Sequence, residues 1–108
     1  MAKYTGDFLK TKKLDIDEII PEGELVLREP TRKQVFRIKS AGSDEEALMD
    51  SVVELAPLIV IDHNVEKDGV KMDTKELLTA LFESLRFSTL FAQAVTGFFP
   101  SQKKSDEK

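Results

Sequence analysis

Residues 77–100 read LLTALFESLRFSTLFAQAVTGFFP and hold five of the chain's seven phenylalanines, Phe82, Phe87, Phe91, Phe98 and Phe99. At about 100° per residue on a helix, Leu77, Leu78, Leu81, Phe82 and Leu85 share one sector, while Phe91, Ala94, Val95 and Phe98 share another rotated by roughly 120°. One core face cannot bury both stripes. The segment therefore either breaks near Arg86-Phe87-Ser88 and packs twice, or turns its second stripe toward another chain. Burying each Phe or Leu contributes about 1.5–3 kcal/mol, so Phe87, Phe91, Phe98 and Phe99 left bare together would invite aggregation. Cover from within the chain and cover by a partner or second copy both satisfy the pattern.

Outward from this stretch, Asp73-Thr74-Lys75-Glu76 has the form of a capping box and opens the C-terminal helix. Ser88 can cap its continuation, and Gly97 and Pro100 stop it. Upstream, Asp62 to Gly69 is polar and turn-rich, a surface loop in which Gly69 supplies a positive φ. Ser43-Asp44-Glu45-Glu46 predicts a second capping box, with Ser43 as N-cap and a helical stripe of Leu48, Val52, Val53 and Leu55 lasting until Pro57. Leu58 to Ile61 is then a buried extended piece or a second short helix. Thr31, after Pro30, is an N-cap for a helix over 32–39 ending at Gly42. The competing assignment pairs residues 34–39 with the brief strand at 24–28 as a hairpin. Leu14, Ile16, Ile19 and Ile20 predict a docked helical turn, ended by Pro21 and Glu22-Gly23.

The resulting expectation is a mainly α fold, a small helical domain allowing one short two-stranded β element. Residues 1–13 form a flexible arm, 14–100 the single helical domain and 101–108 a disordered polar tail. A chain of 108 residues with 41% hydrophobic and 33% charged residues suits one folded domain.

The net charge of −4 gives no global attraction to nucleic acid or to an anionic membrane. The charge is segregated, however. Within residues 28–39, Arg28, Arg32, Lys33, Arg37 and Lys39 face Glu29 alone, whereas residues 43–76 set ten acids against three lysines. Two solvated faces of unlike sign explain this, and so does a device that steers self-association or partner docking. Without cysteine there is no disulfide, thiolate ligand or thiol nucleophile. Lysines interrupt the N-terminus where a secretory leader would be apolar. The longest apolar run, Leu55 to Ile61, falls far short of the roughly 20 residues of a membrane helix. A soluble, cytoplasmic protein is expected.

Few residues suggest chemistry. His63 sits beside Asp62, but base catalysis by such a pair needs an activated nucleophile and an oxyanion site, and the spacing singles out neither. Asn64, Glu66, Asp68 and Gly69 match four places of a calcium-binding loop, yet the first place is not Asp and the twelfth is Lys75 rather than Glu. Five scattered glycines make no phosphate-binding loop. The basic segment 28–39 with Phe36 supports an alternative function, a small oligomeric adaptor or regulator contacting nucleic acid. No catalytic residue, cofactor or metal is assigned. The partner-binding candidates are Phe87, Leu90, Phe91, Phe98 and Phe99, because holding an apolar helical client requires an apolar groove.

Taken in order, Leu27-Arg28-Glu29-Pro30-Thr31, the acidic helix 43–56, Pro57-Leu58-Ile59-Val60-Ile61-Asp62-His63, the charged loop and the terminal Gly97-Phe98-Phe99-Pro100 resemble the tail assembly chaperones of long-tailed bacteriophages, the type found in prophages of Gram-positive bacteria. The resemblance covers most of the chain. It implies a small, mostly helical, non-enzymatic protein of the infected host cytoplasm that is absent from the finished virion. Such a protein coats the tape measure protein and recruits the major tail protein during tube assembly; self-association is the expected side effect of an exposed apolar groove. It also implies a longer frameshifted product, for which Lys103-Lys104 would mark an A-rich slippery run.

Overall fold

The computed structural model describes Ala2 and residues 9–99. Its elements run β1 (Thr11–Asp15), β2 (Glu24–Arg28), α1 (Arg32–Lys39), α2 (Glu45–Ile59), β3 (Val60–His63), β4 (Glu66–Lys67), β5 (Val70–Lys71), α3 (Thr74–Leu81) and α4 (Leu85–Thr96). This corrects the mainly α expectation. The fold is α+β, with a three-stranded antiparallel sheet in the order β1-β2-β3 and a separate two-stranded hairpin, β4-β5.

The end of the expected arm is part of that sheet. Thr11 to Lys13 pair with Val26 to Arg28, and β1 sends only Leu14 into the core while its lysines stay exposed. Lysines on an outer strand discourage further pairing along its open edge. The expected polar tail, 101–108, lies outside the described residues. The helical turn expected after Leu14 is a single turn, closed between Ile16 and Ile20 within a tight connection over residues 16–23, while Leu14 itself belongs to β1. Ile19 and Ile20 both donate backbone N–H to the Ile16 carbonyl, and Ile16 donates to that of Gly23. Gly23 is required there, because a Cβ would stand 2.8 Å from Cγ1 of Ile16 and 2.9 Å from the Ile20 carbonyl oxygen.

Residues 34–39 are helical, not a hairpin partner of β2. Thr31 completes a capping box with Gln34, its hydroxyl accepting the Gln34 N–H while the Gln34 side chain accepts the Thr31 N–H. The N-cap of α2 is Asp44 rather than Ser43, its carboxylate accepting from the Glu46 and Ala47 N–H groups. Pro57 does not end that helix. It lies in the last turn, and the chain passes from Ile59 straight into β3. Leu58 to Ile61 is thus half helix and half strand. The expected loop 62–69 is also ordered as backbone pairs. Asp68 and Gly69, with φ of 54° and 80°, make a two-residue turn of the kind that matches strand twist in β4-β5.

The C-terminal segment breaks, but earlier than expected. α3 ends at Leu81 and α4 starts at Leu85, with Ser84 rather than Ser88 as N-cap, accepting the Phe87 N–H at 3.2 Å. Ser88 is buried and its hydroxyl donates within the joint, toward the Ser84 and Phe82 carbonyls. The break folds Phe82 back onto Phe87 and Phe91, with ring centroids 5.0 and 5.4 Å away in edge-to-face contact, and Phe87 stacks on Phe91 at 5.6 Å. This trio joins Leu14, Ile16, Leu25 and Leu27 of the sheet side, Ile38 of α1, Val52 and Ile59 of α2 and Leu77 of α3 in one core.

Candidate interaction groove

Two segments that meet in space, though not in sequence, leave an open groove of about 670 Å³ on the surface. One wall is the end of β1 at Asp15 and the β1–β2 connection with Asp17, Glu18 and Ile19; the other is the outer face of α4 with Leu85, Arg86, Thr89, Leu90 and Gln93. The Ser84 cap decides this geometry. Starting α4 at Leu85 puts Phe87, Phe91 and Val95 inward and leaves Leu85 80% exposed. Beside it, Leu90 and Ile19 are half-buried and give the groove apolar ground.

Its acidic wall is held in place by backbone donors. Asp15 Oδ1 accepts the Asp17 N–H at 2.8 Å, and Asp17 Oδ1 accepts the Glu22 N–H at 2.6 Å. Each carboxylate thus fixes the turn with one oxygen, and both residues line the groove. Glu18 makes no such bond, and Arg86 is in no ion pair, among the described residues.

The five partner-binding candidates from the sequence separate. Phe87 and Phe91 are 0% exposed and belong to the core, so no partner reaches them in the folded chain. Leu90 lines the groove. Phe98 and Phe99 are half-buried against the core and sheathed by cations, with Lys12 Nζ 4.8 Å from the Phe98 ring centroid and Lys39 Nζ 5.6 Å from that of Phe99. The sequence reading missed Leu85, Ile19, Arg86 and the acids. The pattern Ser84-x-x-Phe87 carried the signal, since capping there moves Leu85 from the first apolar stripe to an outward position.

Other sequence candidates serve the fold. His63 is buried, its Nδ1 accepts the Val65 N–H at 3.0 Å, and its Nε2–H donates to the Met72 carbonyl at 2.9 Å. Both ring nitrogens are therefore committed to backbone. Asn64 braces the β1–β2 connection, accepting from the Glu24 N–H and donating to the Glu22 carbonyl. Asp62 pairs with Lys71 at 2.6 Å; that hydrogen bond, with help from a His63 backbone hydrogen bond and the Lys71 charge, holds its carboxyl below the usual carboxylate range.

In the basic segment, Arg28 donates to the Leu58 carbonyl, Arg37 pairs with Glu54 and Lys39 lies over Phe99. That leaves Arg32 and Lys33 exposed next to Phe36, which is itself 76% exposed. No helix among the described residues is long and apolar enough to cross a membrane. Compared with protein-family models, curated proteins and solved structures, the chain matches none.

Proposed function

We propose that this protein is a non-enzymatic tail assembly chaperone that holds an apolar helical segment of a tape measure protein and recruits tail tube protein to it. The observation that carries the reading is Leu85, a large aliphatic side chain 80% exposed at the mouth of a groove whose other apolar residues are Leu90 and Ile19. A helix laid in such a groove buries one apolar stripe and leaves its polar face to water. Each contact of this size is modest, so many copies along one client supply avidity while an arriving tube subunit can still displace each one. The sequence resemblance points to the same activity. His63, the residue closest to a catalytic pattern, has no free ring nitrogen for proton transfer.

The test is co-expression with a phage tape measure protein as the client. The wild-type chain is expected to keep that client in the soluble fraction, and Leu85→Glu to lose it while its own circular dichroism and melting temperature stay unchanged. A client that precipitates equally with and without the wild-type chain rejects the proposal.

A further inference from the structure

A second surface complements the groove in charge and in apolar character, and it lies on the same chain. Arg32 and Lys33 stand four and three residues before Phe36, which places all three on one face of α1. That face is solvent-exposed, with Phe36 76% bare, while Ile38 is buried in the core and Arg37 is tied to Glu54. The helix is therefore anchored from behind and presents an aromatic knob flanked by two cations. The groove offers the inverse, Leu85 and Leu90 as apolar ground beneath Asp17 and Glu18, with Arg86 as the single opposing cation. Phe36 does not line the groove of its own chain.

We propose that, while no client is bound, α1 of one copy docks in the groove of a second copy, Phe36 seated on Leu85 and Leu90 with Arg32 and Lys33 facing Asp17 and Glu18. The two patches differ, so the contact is head-to-tail and each docked copy leaves one knob and one groove open. Copies add in series into a ring or a short open filament. A patch this small makes a weak, salt-sensitive contact. Weakness is what a storage form needs, because a client helix must be able to displace the neighbour and take the groove.

Sedimentation velocity over a concentration series tests the contact without any client. Wild-type protein is expected to grow in size with concentration, less so at high salt, and Phe36→Asp to stay monomeric at every concentration. Glu18→Lys and Lys33→Glu should each weaken association by about tenfold or more, and mixing the two variants should restore pairing between them, as expected for a charge pair across an interface. Because the chain has no cysteine, Lys33→Cys and Thr89→Cys proteins mixed under oxidising conditions report the register. A 33–89 cross-link should outrun 33–33 and 89–89. The proposal is overturned by a strictly monomeric wild type, by association indifferent to Phe36→Asp, or by a dominant symmetric cross-link. Self-docking and client capture are read in separate experiments, so either can fail while the other stands.

Discussion

His63 ties three pieces of backbone together. From β3 its ring reaches the start of the β4-β5 hairpin through the Val65 N–H and the approach to α3 through the Met72 carbonyl. Replacing it by Ala leaves two backbone groups without partners, each costing roughly 1–3 kcal/mol when kept from water. Urea denaturation of His63→Ala should accordingly show a loss of about 2–4 kcal/mol, and a loss too small to measure would mean that water satisfies both groups. The neighbouring Asp62 behaves differently because it is exposed. Its carboxyl is held below its unfolded value by Lys71, so its small contribution is present above the unfolded value of about 3.9 and vanishes as pH falls through the lower folded value. Asp62→Asn should therefore differ slightly from wild type at neutral pH and low salt, and match it in acid; a carbon-detected NMR titration of the Asp62 carboxyl checks the direction.

Among the elements, the helices were legible wherever caps and periodicity coincided. Thr31, Asp73 and the acidic run before Ala47 each mark a start, though Asp44 rather than Ser43 does the capping. Two substitutions separate these neighbours: Asp44→Ala should lower stability by about 1 kcal/mol and Ser43→Ala by almost nothing, read from thermal unfolding. The strands were less legible, for physical reasons. β1 shows only Leu14 to the core, so it has no apolar alternation to detect. β3 loses its alternation at the register shift opposite Val26 and Leu27, which leaves Ile61 exposed. β4 and β5 are two residues each and wholly exposed, betrayed only by Asp68-Gly69. Gly69→Ala should cost about 1 kcal/mol, since alanine is strained at a φ of 80°; hydrogen exchange of the hairpin amides would reveal the local loosening.

For the molecule as a whole, the aromatic richness of residues 77–100 was visible, but not which rings the chain would keep for itself. An α3–α4 joint at Glu83-Ser84 lets Phe82, Phe87 and Phe91 cover one another, something no single straight helix allows. The groove was invisible in sequence because its walls come from residues about seventy positions apart. Two variants should thus diverge: Phe91→Ala is expected to cost about 3–5 kcal/mol of stability by opening a cavity, whereas Leu85→Glu should leave the melting temperature intact and remove only binding. The direct passage from α2 into β3 at Ile59–Val60 has a consequence for variation in length. With no spare residue at that seam, inserting or deleting one would swing the preceding helix by about 100° or turn every strand side chain to the opposite side. Insertions and deletions should therefore be tolerated at the reverse turns around Gly42 and Gly69 and be lethal to folding between Pro57 and His63.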